Sequence, residues 1–266
     1  MTLVYTIRTV VGIMGNVIAF GLFMSPLPTF YKIIRLKDTE QFSGVPYVAT
    51  LLNCLLWTLY GLPFVTPNSL LVVTINGIGT ALESTYLCVY LFYAPNKPRA
   101  KVLKMLAVVL TFFAAVALMV MTITHVHKTR QLIVGVLCVI VGTGMYASPM
   151  SVMKLVIQTK SVKYMPFLLS LTAFLNGLTW TAYAFLGKID PFIVVPNAIG
   201  TCLATTQLIL YAIYSKKEKA TIKNKENGNG ADAKPANNHI GFAVRCPEAV
   251  SADVNVNDEE RVSRQV

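Results

Sequence analysis

The chain has 266 residues, 55% of them hydrophobic and only 13% charged, with a formal net charge of +11 and a mean hydropathy of +0.59. A soluble domain of this length would be about a quarter charged, so the composition argues for insertion into a bilayer. The basic excess is not a nucleic-acid footprint. Residues 1–215 hold fourteen Lys and Arg against Asp38, Glu40, Glu83 and Asp190, a net +10 gathered in short loops, with no continuous basic face carrying interleaved aromatics.

Taken in chain order, the apolar runs long enough to cross about 30 Å of hydrocarbon are residues 7–30, 45–64, 70–93, 103–124, 131–153, 166–187 and 190–214. The amino-terminal run has neither a basic leader nor a small-residue cleavage site, and its pattern recurs later in the chain, so it reads as a mature helix. Polar breaks fall at residues 32–41, 63–69, 95–104, 125–131, 154–163 and 187–190. From residue 216 to 266 the chain becomes rich in Asn, Gly, Lys and Asp, a composition expected to form a disordered tail. Lys32, Arg35 and Lys37 lie in the first loop, Lys97, Arg99, Lys101 and Lys104 in the third, and Lys154, Lys160 and Lys163 in the fifth. The alternate loops carry only Lys128, Arg130 and Lys188, which predicts an outside amino terminus and a cytosolic tail.

The chain also repeats itself. A shift of 123 superimposes Gly12 on Gly135, Ser25-Pro26 on Ser148-Pro149, Lys37 on Lys160, Asn53 on Asn176, Trp57 on Trp180 and Tyr60 on Tyr183. After a two-residue deletion a shift of 121 superimposes Asn76 on Asn197, Gly79 on Gly200, Thr80 on Thr201 and Tyr90 on Tyr211. Shared apolar composition would match leucines; it would not align both tryptophans and two pairs of asparagines. Each copy makes three crossings, yet the loop charges give both copies the same orientation. One further crossing must reset the direction, and residues 103–124, uncharged from Met105 to Thr124 and matching neither copy, supply it. The expected units are therefore 5–93 (first triple-helix repeat), 103–124 (linker helix), 131–214 (second repeat) and 216–266 (tail). The fold class is an all-α membrane protein of seven transmembrane helices, built as two parallel three-helix repeats with a pathway between them.

Polar side chains at membrane depth mark pathways when they face an interior. Asn76 and Asn197 lie inside the third helix of each repeat, and Trp57 and Trp180 deep in the second. An amide both donates and accepts, as a sugar hydroxyl does, and an indole face suits the C–H face of a sugar ring. No fixed charge is duplicated among these positions, so a neutral polyol fits better than an amino acid or an ion. Asn53 and Asn176 lie one turn before the tryptophans on the same helix face. Leu22 and Met145 lie one turn before Pro26 and Pro149, and these four side chains are candidates for narrowing a chamber to one ring. Pro26, Pro46, Pro149 and Pro166 stand beside the charged loops, where missing backbone bonds permit bending. Glu83 is the only acid deep in a helix, and its repeat partner is Ala204. The five cysteines show no CxxC spacing and the three histidines form no ligand set, so no metal and no cofactor is expected.

The paired segments MSPLPTFYKI and YASPMSVMKL, LLNCLLW and FLNGLTW, and INGIGT and PNAIGT resemble the SWEET sugar transporters of plants and animals across about residues 5–215. That family is itself a standing example of parallel repeats about an axis along the membrane normal. The resemblance implies a facilitative sugar uniporter that rocks between outward- and inward-open states, located in the plasma membrane, with room for a homo-oligomeric dimer or trimer. It further implies that Asn76, Asn197, Trp57 and Trp180 contact sugar, that Pro26, Pro46, Pro149 and Pro166 form a cytosolic hinge, and that Tyr60 and Asp190 form an extracellular gate. With Leu22, Asn53, Met145 and Asn176 at the size-determining positions, the chain is similar to hexose-type members, for monosaccharides such as glucose or fructose. The partners so implied are a monosaccharide and the lipid bilayer.

Three other readings compete. A sucrose-type transporter would have smaller side chains at the size-determining positions, and a proton-coupled one would use Glu83. A seven-helix receptor would have no reason to repeat its first three helices as its last three, and Leu91-Phe-Tyr-Ala-Pro stands where a receptor has Asp-Arg-Tyr. An enzyme is not expected: the sequence has no paired carboxylates, nucleophile–base pair or ligand cluster.

Overall fold

The computed structural model describes residues 2–122, 126–186 and 188–228. Among these, all regular structure is helical: α1 (Thr2–Met24), α2 (Leu27–Leu36), α3 (Val45–Gly61), α4 (Leu70–Tyr93), α5 (Asn96–Thr122), α6 (His127–Gly144), α7 (Ala147–Thr159), α8 (Phe167–Phe185) and α9 (Pro191–Gly228). Seven membrane crossings result, because α1–α2 and α6–α7 are each one span broken at a repeated proline. Five stretches are long and apolar enough to cross a bilayer by length and composition: Leu3–Leu36, Leu70–Tyr93, Asn96–Thr122, His127–Thr159 and Pro191–Lys216. Of the other two, α3 is apolar but only 17 residues long, and α8, with 19, carries an asparagine, a tryptophan and several hydroxyl side chains.

The spans break where the backbone loses a donor. Pro26 has no N–H, and the chain passes the gap by a tight turn, Ser25 N donating to Leu22 O at 3.1 Å, before Phe30 N resumes helical bonding to Pro26 O. In the second copy Ser148 N donates to Met145 O at 3.3 Å and Met150 N to Tyr146 O at 3.1 Å. Both short helices that follow end in a left-handed lysine, Lys37 at φ 54° and Lys160 at φ 52°. These residues are repeat mates, so the duplication reproduces even a backbone conformation rare for a side-chain-bearing residue.

Within the first repeat α4 packs against both α1 and α3, and in the second α9 packs against both α6 and α8. The third helix of each copy therefore sits between its first two. The halves meet through the reciprocal pairs α1 with α8 and α3 with α6, as a two-fold relation requires. The linker α5 packs on α3 and α4 and touches α6. Of its 27 residues only Val102, Val116 and Val120 are buried, while Val108 and Leu118 are 69% and 62% exposed. Such an apolar, outward-facing surface is stable against lipid tails.

Close approach of α8 to α9 depends on Gly177. A Cβ there would stand 3.0 Å from the Asn197 carbonyl oxygen and 3.1 Å from the Thr201 nitrogen, backbone atoms that cannot rotate away. Small residues at helix interfaces serve this purpose in membranes, where packing rather than hydrophobicity drives association.

Two boundaries differ from the sequence expectation. α5 begins at Asn96, because Lys97, Arg99, Lys101 and Lys104 extend the helix past the apolar run. α9 runs through Gly228, into the stretch expected to be disordered. Lys216–Gly228 holds five Lys and two Glu, good helix formers. Residues 229–266, the remainder of the expected tail, and His125 and Cys246 lie outside the described residues.

Candidate functional site

Asn76 and Asn197 share a local geometry fixed by helix spacing. Each side-chain amide donates one N–H to the carbonyl one turn back, Asn76 to Val72 O and Asn197 to Ile193 O, both at 2.9 Å. The hydroxyl one turn on then bonds the asparagine carbonyl, Thr80 to Asn76 O at 2.9 Å and Thr201 to Asn197 O at 2.8 Å. One amide N–H and the amide oxygen of each asparagine remain for other partners.

The tryptophans are equally matched. The Trp57 and Tyr60 rings meet edge to face at 5.3 Å and 77°, and the Trp180 and Tyr183 rings at 5.3 Å and 73°. Both indoles are buried, at 9% and 7% exposure, so neither is an interfacial anchor.

These residues converge. A cavity of about 160 Å³ is lined by Asn53, Trp57, Asn76, Asn176, Trp180 and Asn197, together with Ala19, Phe23, Val72, Ile75 and Ile193. Four amides and two indoles, drawn equally from the two repeats, face one chamber without a charged group. Asn53 Oδ1 and Asn176 Oδ1 are buried acceptors with no protein hydrogen-bond partner. An acceptor left so costs roughly 1–3 kcal/mol unless a donor reaches it, and here the cost is incurred twice, at symmetric positions.

The structure treats the other two size-determining positions differently. Leu22 lines a second cavity of about 280 Å³, with Pro26, Pro46, Thr50 and Glu83, and Met145 lines neither chamber. Glu83 is 3% exposed, and its Oε2 has no hydrogen-bond partner. Pro46 and Pro149 lie in the first turns of α3 and α7, and Pro26 and Pro166 cap α2 and α8.

One turn beyond the tryptophans, at the carboxyl ends of α3 and α8, the chamber is sealed. Tyr60 Oη lies 2.8 Å from both carboxylate oxygens of Asp190 and donates to them. Gln131 Nε2 donates to Tyr60 Oη at 3.1 Å, and Phe192 N to Asp190 Oδ1 at 3.1 Å. Tyr60 and Tyr183 are 0% and 2% exposed. At this end one apolar core, including Leu56, Val65, Val120, Val134, Cys138 and Ile193, joins both repeats. At the proline end the core divides into a first-repeat cluster around Ile33, Leu87 and Tyr90 and a second-repeat cluster around Val156 and Met165. The protein is therefore shut at its tyrosine end and parted at its proline end.

Gln131 and Phe192 were not singled out from the sequence. The repeat holds the missing signal for Gln131, since the shift of 123 that pairs Tyr60 with Tyr183 pairs Gln131 with Arg8, just before the aligned window. Among the described residues no three metal-ligating side chains come together.

Two matching helical triads around a polar chamber closed at one end define a multi-pass membrane transporter. Residues 9–98 and 132–219, one stretch per repeat, match the family described as sugar efflux transporters for intercellular exchange. The chain is 53% identical over 221 residues to the bidirectional sugar transporter SWEET4 of Oryza sativa subsp. indica, covering 83% of this chain and 85% of that one. It is 49% identical over 216 residues to the bidirectional sugar transporter SWEET5 of Arabidopsis thaliana, covering 81% and 90%. Its fold is similar to a solved eukaryotic SWEET transporter, with a TM-score of 0.77 and 41% identity, covering 80% of this chain and 99% of that one. The chain belongs to the SWEET family of sugar transporters and is not an enzyme.

Proposed function

We propose that this transporter is a facilitative, bidirectional uniporter for monosaccharides such as glucose or fructose. The observation that carries this reading is the uncharged chamber of about 160 Å³ with four amides and two indoles, in which the Asn53 and Asn176 acceptors await donors. Sugar hydroxyls are donors of the right kind, and the indole faces take the ring's C–H face between them. Asn76, Asn197, Trp57 and Trp180 contact the sugar, and Asn53 and Asn176 limit its size. Leu22 and Met145 join that filter only as helices around the span breaks rearrange. Loop charge puts the amino terminus outside, so the sealed tyrosine end is extracellular and the parted proline end cytosolic. Tyr60 and Asp190 are then the outer gate, and Pro26, Pro46, Pro149 and Pro166 the hinge that closes the inner side. The plasma membrane is the location that family resemblance suggests.

A proton-coupled reading has one specific observation in its favour, the buried Glu83 carboxyl facing the cytosolic cavity without a partner for Oε2. Uptake by purified protein in liposomes separates the two. As a uniporter the protein equilibrates labelled glucose from either side to the concentration outside, an imposed pH gradient leaves that plateau unchanged, and Glu83→Gln reaches the same plateau. Accumulation above equilibrium along the gradient, lost in Glu83→Gln, would establish coupling instead. Glucose that stays outside folded, inserted protein would refute the monosaccharide assignment.

A further inference from the structure

We infer that Arg8 is a second latch of the extracellular gate, acting on Tyr183 as Gln131 and Asp190 act on Tyr60. The inference rests on the outer-end reading above. The guanidinium carbon of Arg8 lies 4.2 Å from the centroid of the Tyr183 ring, close enough for a strong cation–π contact. Arg8 Nη1 also donates to the Asn68 carbonyl at 3.1 Å, in the turn between α3 and α4, where Asn68 takes a left-handed φ of 60°.

The duplication explains why this matters. Tyr60 and Tyr183 are repeat mates, and so are Gln131 and Arg8, both at a shift of 123. The shift of 121 relates Asp190 in the α8–α9 turn to Ser69, beside Asn68 in the α3–α4 turn. Each tyrosine is thus contacted across the midline by a first-helix side chain, and the turn before a third helix holds Tyr60 directly and Tyr183 through Arg8. Tyr60 of the first repeat is held by Gln131 and Asp190 of the second. Tyr183 of the second repeat is held by Arg8, itself anchored on the α3–α4 turn of the first. A hydrogen-bonded carboxylate secures one tyrosine and a cation over the ring face the other. Gly12, one turn after Arg8, lets Tyr183 seat there, since a Cβ at that position would fall 2.9 Å from the ring. Outward opening separates the repeats at this end, so both latches must release.

The test is electron–electron resonance distance measurement in proteoliposomes without sugar, so its outcome does not depend on the transported substrate. Nitroxides are placed at Pro67 and Lys188, exposed positions in the outer turns of the two repeats, in full-length protein whose native cysteines are replaced and whose transport persists. Arg8→Gln raises the ratio of long to short distances by about twofold to thirtyfold, the range a cation–π contact spans from exposed to desolvated settings. Tyr183→Leu does the same, Tyr183→Phe, which keeps the ring, stays at wild type, and the Arg8→Gln/Tyr183→Leu pair opens no further than either alone. A wild-type distribution in Arg8→Gln, additive effects in the pair, or opening by Tyr183→Phe equal to Tyr183→Leu would each overturn the latch.

Discussion

Asn197→Ala lowers glucose equilibration in liposomes about a hundredfold, to the level of empty vesicles, if two substrate hydrogen bonds worth roughly 1–1.5 kcal/mol each are lost. The amide has one N–H tied to Ile193 O and offers its second N–H and its oxygen to the chamber. Alanine removes both and leaves sugar hydroxyls desolvated without partners, the most costly kind of mismatch in a water-poor site. The fold should survive, because the Ile193 carbonyl that loses the side-chain bond keeps its backbone helix bond. A thermal melt followed by intrinsic fluorescence checks this, since the chain's only two tryptophans both line the chamber. Full glucose flux through a folded Asn197→Ala protein would remove the amide from the substrate path.

Asn53→Ser combined with Asn176→Ser admits sucrose, raising its flux at least about tenfold over the unmodified protein while glucose flux persists. The two side chains project from matching positions on α3 and α8, one turn before the indoles, and both line the chamber. Shortening each by one amide widens the space symmetrically, and the serine hydroxyls still offer a donor and an acceptor. Selectivity set by steric exclusion falls once the clash is gone. The double substitution is required because a disaccharide that clears one wall still meets the other. A double variant that carries glucose and excludes sucrose would place the filter elsewhere, with Leu22 and Met145 the next positions to shorten.

Much of this was legible in the sequence because duplication converts weak local signals into paired ones. A lone intramembrane asparagine is ordinary interhelical glue. Asn76 with Asn197 and Trp57 with Trp180, each at a constant shift, could be placed on one chamber before any coordinates, and the structure gathers them there. Tyr60 and Asp190, which the resemblance paired, are hydrogen-bonded in the structure. What stayed hidden has physical reasons. Leu22 and Met145 are singled out by their place one turn before the repeated prolines and by the resemblance, and in the structure Leu22 lines the second cavity and Met145 neither. The contacts of Arg8 with Tyr183 and of Gln131 with Tyr60 cross between repeats 175 and 71 residues apart in sequence, where helical periodicity carries no information. The length of α9 was missed because lysine-rich sequence reads as loop by hydropathy although its intrinsic preference is helical.

Binding of one sugar ring between the halves is the claim on which gate, hinge and filter all depend. A structure of the protein solved with glucose puts it to the most direct test. The account predicts ring density between the Trp57 and Trp180 indoles, with hydroxyls within hydrogen-bond distance of Asn76, Asn197 and the Asn53 and Asn176 oxygens. Sugar ordered outside this chamber, with the indoles and amides untouched, would contradict it.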